Sequence, residues 1–137
     1  NQTMQASGAG AAGGLGFAFV TFLNGELKSG IDLILDAVGL EKSLENADYV
    51  ITGEGRLDRQ TAMGKGPAGV AKLGKKYGAK TIALAGSVSD DASACNEAGI
   101  DSYFCILSSV CTLEEAMDAA RARKNLSLTA EQLFRLL

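Results

Sequence analysis

Glu54, Arg56, Asp58, Arg59, Gln60, Thr61 and Lys65 fall within one short stretch, residues 52–67, of a chain of 137 residues. The same stretch holds Gly53, Gly55, Gly64 and Gly66. Carboxylates and cations set among bare backbone suit the movement of a phosphoryl group. That chemistry needs cations for phosphate oxygens, a carboxylate for Mg²⁺ or for the attacking hydroxyl, and backbone N–H donors. Arg56 and Lys65 can supply the first, Glu54 and Asp58 the second, and the glycines the third. The sequence has no histidine. That removes the commonest metal ligand and the commonest general base, but phosphoryl transfer requires neither. The plainer reading of the same charges is a solvated loop with surface ion pairs, which contribute little to stability. The place of the stretch favours function, since it leaves a strand-like run, Tyr49-Val50-Ile51, and ends at a helix start, Pro67.

The elements around the stretch must position it. Residues 48–52 read as a buried strand. Pro67 opens a helix with Val70, Leu73, Gly74 and Tyr77 inward, and Gly78 stops it. A second strand follows at 81–85, a weak helix at 90–98 and a third strand at 103–107. Thr112-Leu113-Glu114-Glu115 has capping-box spacing and opens a helix with Leu113, Ala116, Met117 and Ala120 inward. Residues 127–137 read as helical too, and continuity through Asn125 is left open. Upstream, Leu15, Ala18, Phe19 and Phe22 have helical spacing; Phe17, Val20 and Leu23 make the opposite face apolar, predicting a helix buried on most sides. Ile31, Ile34, Leu35 and Val38 predict another, between Ser29 and Gly39. Residues 40–47 form a further short helix.

Strands alternating with helices predict an α/β protein: a three-layer α/β/α, Rossmann-like, mainly parallel sheet, partial, with about three strands in this chain and one domain over residues 1–137. Ligands of such sheets bind at the carboxyl ends of the strands. The 52–67 stretch, Gly86-Ser87 and Ser108-Ser109 would share that edge. Three strands are few, so the sheet is expected to continue in strands outside this chain. An unpaired edge invites a second copy, and a homodimer is expected on that ground.

Residues 8–16 form a second glycine-rich segment, with Gly8, Gly10, Gly13 and Gly14. Gly8-Ala9-Gly10-Ala11-Ala12-Gly13 fits GxGxxG, but no clear strand precedes it and no ribose-binding acid follows in a strand at the right distance. Two readings stay open: phosphate binding through the backbone, or close packing of a glycine-rich helix. The Walker pattern fails, because Gly66 follows Gly64-Lys65 where a serine or threonine is required.

The net charge of -3 gives no general reason to bind nucleic acid or an anionic membrane. No apolar run approaches the ~18 residues of a membrane span. Asn1-Gln2-Thr3-Met4-Gln5 lacks the pattern of a signal peptide. Cys95, Cys105 and Cys111 form no CxxC pair and sit among apolar or small residues. They read as reduced core thiols, and the cytoplasm as the expected compartment.

The run Ile51-Thr52-Gly53-Glu54-Gly55-Arg56-Leu57-Asp58, with Gln60-Thr61 and Gly64-Lys65-Gly66-Pro67-Ala68-Gly69-Val70, resembles the signature of the bacterial glycerate kinase family. Residues 8–16 resemble its other glycine loop. Ser29-Gly30-Ile31-Asp32, Ala83-Leu84-Ala85-Gly86 and Leu113-Glu114-Glu115-Ala116-Met117 match in the same order, so the resemblance covers nearly the whole chain. It implies an ATP- and Mg²⁺-dependent kinase that phosphorylates D-glycerate, giving 2-phosphoglycerate in many members. It also implies a two-domain α/β protein with its active site in the cleft, of which this chain resembles the C-terminal part. On that resemblance Asp58 orients or deprotonates the glycerate hydroxyl or holds Mg²⁺, and Glu54 is a second metal candidate. Arg56 and Lys65 bind carboxylate or phosphate. Gly8, Gly10, Gly13, Gly14, Gly53, Gly55, Gln60 and Thr61 are expected to contact substrate or phosphate. A non-catalytic module that binds a small anion is the alternative, although a pure binder has no need of both acids.

Overall fold

The computed structural model describes residues 10–137. Gly8 lies outside the described residues. The chain divides into two compact units, Asn1–Ile34 and Leu35–Leu137.

In the first unit, α1 spans Ala11–Leu23. Gly13 and Gly14 have φ of 68° and 95°, a region open to glycine at little steric cost. Asn24, at φ 50°, ends the helix in the left-handed conformation. The expectation of a helix buried on most sides is corrected: Leu15, Phe19, Phe22 and Leu23 are exposed. A unit this small offers too little chain to enclose a helix that is apolar all round. α2 (Gly30–Ala37) carries the chain into the second unit. Of its expected inner face only Leu35 is buried, while Ile34 and Val38 are exposed. Gly39, at φ 65°, ends it as the sequence implied.

The second unit contains α3 (Leu40–Leu44), β1 (Tyr49–Leu57), α4 (Arg59–Ala62), α5 (Gly66–Tyr77), β2 (Lys80–Val88), α6 (Ala94–Glu97), β3 (Ser102–Cys105), α7 (Leu113–Met117) and α8 (Ala119–Leu136). The three strands form a parallel sheet in the order β1-β2-β3. Alternate residues of β2 face opposite layers, as the strand period of two requires. Ala83 and Ala85 pack with Leu57, Ala71 of α5, Ala92, Cys95 of α6 and Ile100. Ile82 and Leu84 pack with Leu133 of α8 and the half-buried Ile106. Helices therefore cover both faces, and the architecture is the expected three-layer α/β/α arrangement. No described helix is long and apolar enough to cross a membrane.

β1 departs from its expected length. Its apolar run predicts an end at Thr52 and a loop to Pro67, but the strand runs on to Leu57. Arg56 pairs with Ser87 and Leu57 with Val88. The glycines explain the extension. A Cβ on Gly53 would lie 2.7 Å from the Leu84 carbonyl oxygen, and one on Gly86 would lie 2.8 Å from that of Gly55. Bare backbone lets the two strands approach where a side chain would separate them. Gly86→Ala is thus expected to destabilise the protein by about 1–2 kcal/mol through overpacking. An unchanged denaturant midpoint would contradict this account of the pairing.

The C-terminal helices break at a different place from the one considered. α8 continues through Asn125, which is 6% exposed. The break falls at Asp118, whose extended backbone (ψ 122°) and side-chain bond to the Arg121 amide cap α8. Leu113 and Met117, expected to face inward, are 79% and 76% exposed. The Thr112–Glu115 capping box does form.

Candidate functional site

The parallel sheet puts the carboxyl ends of β1, β2 and β3 on one edge. β1 delivers Glu54 and Arg56 to that edge, and α4 begins immediately after it. Asp58 is the N-cap of α4. Its Oδ1 accepts the Gln60 amide at 2.8 Å and the Thr61 amide at 3.2 Å. The Gln60 amide at the helix start is satisfied this way, while the Thr61 amide also donates to the Asp58 carbonyl at 3.0 Å. In return Thr61 Oγ1 accepts the Asp58 amide at 3.3 Å. The Thr61 hydroxyl donates to Glu54 Oε1. The second Asp58 oxygen, Oδ2, lies 4.0 Å from Arg56 Nε, an ionic separation longer than a hydrogen bond.

Lys65 joins the same group. It is the N-cap residue of α5, and its Nζ donates to Gln60 Oε1 at 3.2 Å. Glu54, Arg56, Asp58, Gln60, Thr61 and Lys65 are therefore linked through neighbouring contacts along one edge of the sheet. The Arg56 side chain is 68% exposed and that of Asp58 25%, so a cation and a carboxylate oxygen both face solvent. Beside Glu54 a cleft of about 320 Å³ opens between β1, β2 and Leu126 of α8.

Thr61 is fully buried. Its hydroxyl joins two acids. Gly53 and Gly55 lie within β1 and not in a turn, and neither has positive φ. Gly10, Gly13 and Gly14 belong to the first unit; Gly10 is the α1 N-cap residue at φ -80°.

Mg²⁺ is commonly held by one or two carboxylates, with phosphate oxygens and water completing its octahedron. Glu54 and Asp58, joined through Thr61, fit that donor set. Among the described residues no group of three or more His, Cys, Asp or Glu is placed to hold a metal ion.

Sequence reasoning missed Ser89, Asp91 and Cys95. All three lie in the segment after β2 and contact residues 57–59. Of the three cysteines expected in the core, only Cys95 is fully buried; Cys105 is exposed and Cys111 half-buried. Burial raises the Cys95 thiol pKa, and the Glu54, Asp58 and Asp91 charges raise it further. This thiol is consequently a weak nucleophile. The Ser89 hydroxyl holds the Asp91 carboxyl below its ordinary pKa, aided by the Arg59 amide. The folded value is lowered, so the contribution of ionised Asp91 to stability is present above the unfolded value. It is lost as pH falls through the lowered one. No pattern in the sequence marks these residues, because their partners lie 32 to 37 positions away.

The model of the glycerate kinase family matches residues 1–137. A glycerate kinase of Bacillus cereus is 48% identical over 126 residues, covering 92% of this chain and 32% of that protein. A glycerate 2-kinase of Escherichia coli is 46% identical over 127 residues, covering 89% of this chain and 33% of that protein. A crystal structure from Salmonella typhimurium LT2, of a protein assigned as glycerate kinase 2, is similar with a TM-score of 0.56 at 39% identity. It covers 92% of this chain and 34% of that one. The chain spans about a third of the length of the curated relatives it matches. With the family model matching all of residues 1–137, and the carboxylate–cation group seated at the sheet edge, the chain belongs to the glycerate kinase family.

Proposed function

We propose that the protein carrying this chain phosphorylates D-glycerate with ATP, and that residues 54–65 supply part of its active site. The observation that carries this reading is the linked group Glu54–Thr61–Asp58–Arg56 at the carboxyl edge of the sheet. Names borne by relatives add glycerate as the substrate, and that of the Escherichia coli relative favours the 2-hydroxyl.

Each side chain then has a role. Asp58 keeps Oδ1 on the α4 amides and turns Oδ2 toward the ligand, where it orients the glycerate hydroxyl or accepts its proton. Arg56, beside Oδ2, pairs with the glycerate carboxylate or with the transferring phosphoryl oxygens. Lys65, held near by Gln60, adds a second positive charge on the same edge. Glu54 and Asp58 would hold Mg²⁺, which when bound neutralises phosphate charge. Gly8, Gly10, Gly13 and Gly14 remain backbone candidates for phosphate or glycerate. The three free cysteines are in keeping with a reducing compartment, the cytoplasm. A homodimer belongs to the same reading, since β1 and β3 each have an unpaired side among the described residues.

The test is ADP release with ATP, Mg²⁺ and D-glycerate. This chain is assayed beside a version extended at its N-terminus to the length of the relatives. The extended protein is expected to turn over glycerate. Phosphorylation of a different hydroxy acid with glycerate ignored would overturn the substrate assignment. Glycerate binding without turnover in the extended protein would favour the non-catalytic anion-binding module.

A further inference from the structure

Three consecutive residues around Asp58 are tied to the segment that follows β2. The Leu57 carbonyl accepts the Ser89 amide at 3.0 Å and lies 3.1 Å from Ser89 Oγ. The Asp58 carbonyl accepts the Cys95 thiol at 3.4 Å. The Arg59 amide donates to Asp91 Oδ1 at 3.4 Å. Ser89 Oγ also contacts Asp91 Oδ1. One hydroxyl proton cannot serve both acceptors at once. The carboxylate is the stronger acceptor, so the proton goes to Asp91, and the Leu57 carbonyl keeps the Ser89 amide.

These ties fall where the backbone needs them. Among the described residues β1 pairs on one side only, and α4, which follows it, is four residues long. A helix of one turn has no stability of its own in water. The cap on Oδ1 fixes the Asp58 side chain relative to α4, but it cannot fix α4 relative to the sheet. The Thr61–Glu54 bond ties α4 to β1 at one point, and the bonds from residues 89–95 hold the junction between them, with α5 and α6 packed against α4 as well.

We infer that Ser89 and Asp91 form a clasp that positions Asp58, holding its Oδ2 at the sheet edge beside Arg56. Asp91 is a positioning residue, acting through the Arg59 amide. The catalytic consequence rests on the kinase reading above. The geometric consequence does not.

Asp91→Ala and Asp91→Asn separate the two. Asparagine keeps an acceptor oxygen for the Arg59 amide and the Ser89 hydroxyl, whereas alanine keeps none. The first readout, in this chain, is hydrogen exchange of the Gln60 and Thr61 amides, which Asp58 Oδ1 accepts. Alanine is expected to speed both at least about fivefold, through local opening of α4. The second, in the extended protein, is steady-state kinetics. Alanine should lower kcat about tenfold, with KM for glycerate within about twofold, because misplacement affects the transition state more than binding. Asparagine should restore exchange and kcat to within about twofold of the parent, since the acceptor geometry survives. Unchanged exchange in the alanine variant overturns the clasp, and so does an asparagine variant as impaired as alanine. Faster exchange in a protein that never phosphorylates glycerate supports the clasp and overturns the kinase reading instead.

Discussion

Asp58→Asn is expected to lower glycerate-dependent ADP release at least about a hundredfold while leaving the fold nearly as stable. The two effects separate because the carboxylate does two jobs with two oxygens. Oδ1 caps α4 through the Gln60 and Thr61 amides. Asparagine is as good an N-cap as aspartate and keeps that oxygen, so the expected loss of stability is only a few tenths of a kcal/mol. Oδ2 faces Arg56 at 4.0 Å. Asparagine places an uncharged NH₂ there, a donor set against another donor, and can neither accept a proton nor hold a cation. Asp58→Ala serves as the contrast. It loses the cap as well and should cost about 1 kcal/mol. Steady-state turnover in the extended protein, with thermal melts of both variants, reads the two effects separately. A drop in turnover of less than about tenfold with the asparagine variant would remove Asp58 from the catalytic group, because general-base removal alone accounts for more.

Much of this arrangement is legible in the chain, and what is not has a physical cause. Strand runs such as Thr81-Ile82-Ala83-Leu84-Ala85 announce themselves by apolar content, and Pro67 and Gly78 mark the ends of α5. The charged stretch declares its chemistry by residue type. The full length of β1 is not legible, because Gly53 and Gly55 are ordinary loop signals. Here they permit close approach of strands, a property that depends on Leu84 and Gly86 across the sheet. Thr61 carried no mark distinguishing a surface hydroxyl from a buried one. Its burial follows from α4 lying back onto the Leu57 and Cys95 layer, which is a long-range packing outcome. Ser89, Asp91 and Cys95 were invisible for the same reason. The apolar faces of α1 and α2 were legible as patterns, yet pattern alone does not say what will cover them.

Thr61→Val carries the second large effect, and it tests whether the two acids act as a unit. Valine has the shape of threonine without the hydroxyl, so the fully buried site stays filled. What disappears is the oxygen that accepts the Asp58 amide at 3.3 Å and donates to Glu54 Oε1. The amide is left unpaired in a half-buried turn, and Glu54 loses its tie to α4. Loss of such a pair of bonds, one of them to a carboxylate, should destabilise the protein by about 2 kcal/mol. Turnover should fall by roughly tenfold beyond any loss of folded protein, as Glu54 and Asp58 cease to hold a common geometry. Thr61→Ser discriminates between shape and hydroxyl. It keeps the oxygen and gives up one methyl, a change of about 1 kcal/mol, and should recover most of the turnover. Equal turnover in the valine and serine variants would show that the hydroxyl does not join the two acids. Glu54 would then act apart from Asp58, and any cation between them would need a different pair of ligands.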